Sequence, residues 1–164
     1  MRRIFSVAFL LCIVTLLFTL STPVSATKPI PVEGYFNYEF TIIDMWPADG
    51  KTFIYATEDE TWEGSFTGTA QAVFLVIIFS EDFWYVWLRT TFTGEVDGKF
   101  GTMIIQLVGK RTYWDEDTFW WYGQWVIISG TDDLADIHGR GTWWGPGYGS
   151  EGPDIFYEGQ IHFD

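Results

Sequence analysis

From position 33 onward, apolar and polar residues alternate with a period of two, and turn residues recur between the runs, a pattern that predicts strands and leaves no stretch with a helical period. In the run 35–44, Phe36, Tyr38, Phe40 and Ile42 share one face, while Asn37, Glu39 and Thr41 take the other. One side is buried and one is wet. Pro47-Ala48-Asp49-Gly50 then supplies a turn, residues 52–57 a short strand, and Glu58-Asp59-Glu60 an acidic bend expected in solvent. The run 72–79, AVFLVIIF, is apolar on both faces, so its outer side needs cover from a second layer or a neighbouring subunit.

Asp97-Gly98, set between two long alternating runs, suits the positive φ angles of a two-residue hairpin turn, and that turn dictates register. Val96 then faces Lys99, Phe92 faces Met103, Thr90 faces Ile105 and Leu88 faces Leu107. These positions, with Trp84 and Val86, form the almost wholly apolar core face. Trp87, Arg89, Thr91 and Glu95 look outward with Phe100, Thr102, Ile104, Gln106 and Val108.

After the charged bend Asp115-Glu116-Asp117, residues 119–129 read as a further strand. Gly130 and Thr131 open a turn in which Asp132 or Asp133 is expected to cap one helical turn over residues 134–137. The run 155–163 places Ile155, Tyr157, Ile161 and Phe163 on one face and Phe156, Glu158, Gln160 and His162 on the other. About eight strands with short turns, and no helix to cover a sheet face, favour closure into a single antiparallel β-barrel, which removes exposed edges. A two-sheet sandwich is the alternative.

The N-terminal pattern is different. Met1-Arg2-Arg3, an apolar run over 4–20 and Val24-Ser25-Ala26 have the layout of a signal peptide ending at residue 26, which implies a secreted or cell-surface protein. An uncleaved anchor is the other reading, since the apolar run is close to the length of a spanning helix. Residues 27–32, with Pro29 and Pro31, form a short linker, and residues 33–164 the barrel domain.

Cleavage leaves 138 residues (164 minus 26), the size of one domain. Cys12, the only cysteine, lies in the apolar run, so the mature domain has no disulfide and must hold together by packing. Ten Trp, fifteen Phe and eight Tyr provide it. The net charge of −13 becomes −15 without Arg2 and Arg3 (seven basic against 22 acidic residues), which argues against nucleic acid as a partner and for solubility through acidic charge.

The segments EVDGKFGTMIIQL, WVIISGTDDLADIHGRGTWW and YEGQIHF resemble an uncharacterised prokaryotic domain family whose barrel is related to those of allene oxide cyclases and dirigent proteins. The resemblance covers roughly residues 61–163. It implies an eight-stranded antiparallel barrel, of a kind in which related proteins hold an apolar small molecule in the lumen, and it carries over no catalytic residue. Asp132 stands where the family pattern leads one to expect glycine.

Candidate chemistry is sparse. His138, beside Asp136 and Arg140, has the make-up of a general base oriented by a carboxylate, but a surface turn histidine fits equally. Glu158, Gln160 and His162 project to one side of the last strand, about 7 Å apart in succession, and form either a wet outer face or a polar patch in the lumen. With two histidines and no HExxH or comparable spacing, no metal site and no cofactor are expected. The acidic groups Asp132/Asp133/Asp136 and 115–117 lack an EF-hand arrangement. Trp120-Trp121 and Trp143-Trp144 put one indole on each strand face, leaving one of each pair outside the core.

The leading expectation is an exported, non-enzymatic barrel that binds a small apolar ligand in a lumen lined by Trp84, Leu88, Phe92, Met103, Ile105 and Leu107; if those side chains fill it, the barrel is ligand-free, with a structural or interaction role. Homo-oligomerisation through the doubly apolar strand accompanies it. Carbohydrate binding through exposed tryptophans, an isomerase or cyclase using His138, His162 or Glu158, and an outer-membrane barrel are the other readings.

Overall fold

In the computed structural model, which describes residues 28–113, 119–146 and 155–164, the alternation closes into a ring. The strands are β1 (Ile30–Ala48), β2 (Lys51–Gly64), β3 (Phe66–Ile78), β4 (Trp84–Val96), β5 (Lys99–Tyr113), β6 (Phe119–Gly130), β7 (Ile137–Pro146) and β8 (Ile155–Phe163). Each pairs antiparallel with its neighbours in sequence, and β1 pairs with β8 to complete an eight-stranded barrel. The expected signal segment, Cys12 and the bend 115–117 lie outside the described residues.

The turn at Asp97 and Gly98 carries φ of +52° and +74°, the two positive values that a tight hairpin of this kind demands. Register follows as the turn predicts. Val96 pairs with Lys99, Phe92 with Met103, Thr90 with Ile105 and Leu88 with Leu107, and all of these except Lys99 are buried. Asp49 and Gly50 make a second turn with both φ positive, between β1 and β2.

Three local expectations are corrected. β1 starts at Ile30, and Val32, expected in a linker, is 4% exposed and pairs with Gly159 of β8. The segment at 58–60 is no bend: β2 runs unbroken from Lys51 to Gly64, paired on both sides, and its period-two phase turns Glu58 and Glu60 into the barrel. The helical turn is shorter than expected, a single 3-10 turn over Asp132–Leu134 whose N-cap is Thr131, without a side-chain cap bond. Asp132 sits there with φ of +55°, a glycine-favouring conformation, and the Thr131 hydroxyl donates to its Oδ2 at 2.8 Å.

The outer wall of β2 to β6 carries an apolar band. Tyr55, Leu75, Trp87 and Val108 pair in one continuous row across four strands, and Tyr122, Val126 and Ile128 extend the band onto β6. This is the outer side of the doubly apolar strand. Copies that bury such a band between them would remove it from water, and Trp87→Glu would then shift the protein to monomer in size-exclusion chromatography with light scattering. A mass unchanged from that of the unsubstituted protein would remove self-association through this wall.

Candidate functional site: the barrel lumen

The two halves of the barrel interior differ. Toward the end that bears the Asp97-Gly98 turn, the lumen is packed solid with rings: Phe66 stacks on Tyr157 at 4.9 Å, Trp62 lies 5.1 Å from Tyr157 and 5.9 Å from Phe92, and Phe66 meets Trp125 edge-on at 5.8 Å. Leu134 of the 3-10 turn closes that end, fully buried. The Tyr157 hydroxyl accepts the Phe66 N–H at 2.8 Å, and burial pushes its pKa up to about 12.

Two tryptophans brace the wall by lying across glycine pairs. Trp125 of β6 spans Gly141 and Gly159, which face each other on β7 and β8, and its Nε1–H is shared between the Thr142 and Glu158 carbonyls, each at 3.1 Å. Trp143 of β7 reaches the other way over Gly123 and Gly109, and its Nε1–H is shared between the Val108 and Gln124 carbonyls, each at 3.2 Å. Any Cβ at these glycines would occupy the space of the indole.

The opposite half is incompletely filled. A cavity of about 80 Å³ lies there, among Phe36, Tyr38, Phe40, Phe74, Trp84, Leu88, Leu107, Trp121 and Trp143. Of the expected lumen residues, Trp84, Leu88 and Leu107 thus line the cavity, while Phe92, Met103 and Ile105 belong to the packed half, at 0, 0 and 1% exposure.

Into this apolar wall β2 inserts two acids. Glu60 accepts the Trp62 Nε1–H at 2.7 Å and the Thr90 hydroxyl at 3.3 Å, and shares a hydrogen bond with Glu58. Glu58, 8% exposed, lines the cavity, and its Oε2 has no hydrogen-bond partner. Burial, reinforced by the neighbouring Glu60 carboxyl, raises the Glu58 pKa well above the usual carboxylate range. Burial likewise lifts Glu60 to about 7 against the hydrogen bonds it accepts. Together with Thr90, these two are the buried polar side chains among the described residues. The pair therefore holds at least one proton near neutral pH, because like charges this close in an apolar surround do not both ionise.

Sequence reasoning missed this pair. The available cue was phase: Ile54, Ala56, Glu58, Glu60 and Trp62 occupy alternate positions, so an acid between two buried apolar neighbours of the same parity inherits their face.

The candidates named for acid–base chemistry lie outside the barrel. His138 and His162 pair across β7 and β8 with rings stacked at 5.2 Å, and both contact the Asp164 carboxylate, at 3.1 and 3.7 Å. Their side chains are 53 and 42% exposed, and neither lines the lumen cavity. Glu158 and Gln160 face solvent, the former accepting the Thr142 hydroxyl at 3.4 Å. The tryptophan pairs divide as their spacing predicts: Trp121 and Trp143 line the cavity, whereas Trp144 packs outside against Phe156 at 6.2 Å.

Comparison with known proteins agrees with this architecture. The family model described as a protein of unknown function, DUF3224, matches residues 38–148. The chain is also similar to the crystal structure of a protein of unknown function from the DUF3224 family of Shewanella oneidensis MR-1, with 16% identity and a TM-score of 0.66, over 84% of this chain and 98% of that one. At that identity the likeness is one of fold. No curated protein matches the chain.

Proposed function

This chain belongs to the DUF3224 family of proteins of unknown function, and from the unfilled half of its barrel we propose that it is a non-enzymatic binding protein that takes a small, mainly apolar ligand into the lumen. The observation that carries this reading is the cavity, walled by aromatic and aliphatic side chains on rigid strands and backed by a packed floor. Pre-formed apolar cavities with a few polar groups are the usual form of small-molecule sites. Trp84, Leu88 and Leu107 form part of the wall; Phe92, Met103 and Ile105 act as the floor's packing.

The signal-like layout of residues 1–26 supports export, and the strand and turn motifs, with the closed ring of eight, support kinship with allene oxide cyclase and dirigent barrels. A binding role is favoured over a catalytic one because the histidines stand on the outer wall, remote from the cavity lining. The apolar cavity likewise favours the lumen over the outer tryptophans as the binding surface.

Dichloromethane, small enough for such a space, is expected to change the tryptophan fluorescence saturably, since Trp84, Trp121 and Trp143 border the cavity. Val86→Phe, which adds bulk to the same wall, is expected to abolish that response. A linear, unsaturable response in the unsubstituted protein would show that nothing enters the lumen.

A further inference from the structure

We propose that the lumen ligand is a small hydrophobic ammonium ion, its charged head set against Glu58 and its carbon substituents against the surrounding aromatic rings. This rests on the lumen-binding reading above and adds the chemical class of the ligand.

Geometry supplies the first support. Glu58 presents a buried oxygen without a partner to the unfilled half of the lumen. A buried acceptor left unsatisfied is costly, so a donor arriving from outside gains the bond that the fold leaves unmade. Charge supplies the second. Among the described residues no basic side chain is buried as a whole beside the two acids; Arg111, its Nε shielded from solvent, lies at the rim over Trp84, and the chain as a whole carries a net charge of −13, which attracts cations.

The wall supplies the third. Phe36, Tyr38, Phe40, Phe74, Trp84 and Trp121 border the space, and ring faces attract an ammonium by their quadrupole, most strongly when water is excluded. Size limits the guest. A cavity of about 80 Å³ corresponds to a few waters at roughly 30 Å³ each, enough for an ammonium head and its first carbons.

The titratable and charged groups around the pair are few. They are Tyr38 on β1, Glu60 on β2, Tyr157 on β8 and, at the rim, Arg111 of β5. The Arg111 guanidinium lies 4.5 Å over the Trp84 ring and donates to the Glu81 carbonyl. β3 and β4 present Ala70, Ala72 and Thr90, and β6 and β7 present Trp121, Trp125 and Trp143. Seating an ammonium beside Glu58 therefore expels a proton held by the two carboxyls, and affinity rises with pH between 6 and 8 as that proton becomes easier to lose.

Propylamine and 1-propanol, nearly the same shape but differing in charge and small enough for the space, are the test pair for the full chain. Propylamine is expected to bind saturably and at least ~10-fold more tightly than the alcohol, the scale of a hydrogen bond to a charged group. Calorimetry in two buffers of different ionisation enthalpy should show proton release for the amine alone. Glu58→Gln should erase the preference. Equal binding of both compounds without proton release overturns the ammonium inference and leaves the lumen reading standing. Failure of both to bind overturns the two together. Should Glu58→Gln not fold, the amine-to-alcohol ratio and the proton count of the unsubstituted protein decide the matter alone.

Discussion

Replacing Trp125 by alanine is expected to destabilise the barrel by about 3–5 kcal/mol, the range for removing a large buried ring, as measured by urea unfolding. The cost has two sources. The indole fills the space above Gly141 and Gly159, which have no side chains with which to close the gap. Its N–H also ties the β7 and β8 carbonyls of Thr142 and Glu158, so truncation removes packing and a shared donor at once. Gly141→Ala attacks the same contact from below, because its Cβ would stand 2.6 Å from the Trp125 Nε1 and collide with the Glu158 carbonyl oxygen. Overpacking of this kind costs about 1–3 kcal/mol. Trp144→Ala, on the outer wall, is the control, and a loss below about 1 kcal/mol is expected there. Equal losses at Trp125 and Trp144 would show that the indole brace contributes nothing of its own.

Stability should fall as pH rises from 5 to 8. Glu60 titrates near 4.5 when unfolded and about 7 when folded, so between those values the folded state holds more protons, and rising pH favours the unfolded chain. That interval corresponds to about 3 kcal/mol at the rate of 1.36 kcal/mol per unit. Glu58, raised in the same direction by burial, adds to the fall. The stability contribution is thus complete below 4.5 and is lost as pH passes through the folded value. General repulsion among the surface acids has the same sign, so the Glu58→Gln/Glu60→Gln double variant is needed to isolate the pair. It should flatten the pH dependence measurably, and a slope equal to that of the unsubstituted protein would remove the buried pair as its cause.

How far the residues alone reveal this molecule depends on whether the decisive cue is local. Asp97-Gly98 dictates its own hairpin, and the pairing of Leu88 with Leu107 follows from that turn by counting. Ile155–Phe163 alternates so regularly that its bounds and inner face are plain in the sequence. The carboxyl pair was hard to read for a different reason. Three acids in a row have the composition of a solvated turn, and the phase that turns two of them inward counts only if the strand runs through them, as the ladders formed with β1 and β3 show it does. The division of the lumen was equally hidden. Phe92 and Leu107 look alike on one face of the β4–β5 hairpin, yet whether a neighbour fills the adjacent space depends on Trp62, Phe66 and Tyr157, which come from three other strands. The glycines beneath Trp125 and Trp143 read as turn or flexibility residues until their parity puts them under an indole.

The seam between β1 and β8 bears on how the chain reaches this state. It joins Ile30 to Ile161, residues 131 positions apart (161 minus 30), and no shorter-range ladder substitutes for it. Pairings so distant in sequence form late, after a large loss of loop entropy. Until β8 docks, β1 and β7 each present a bare row of N–H and C=O groups to any passing chain. A growing polypeptide therefore stays sticky until β8 has been made, and anything that delays that strand exposes the protein to aggregation before it ever has a lumen.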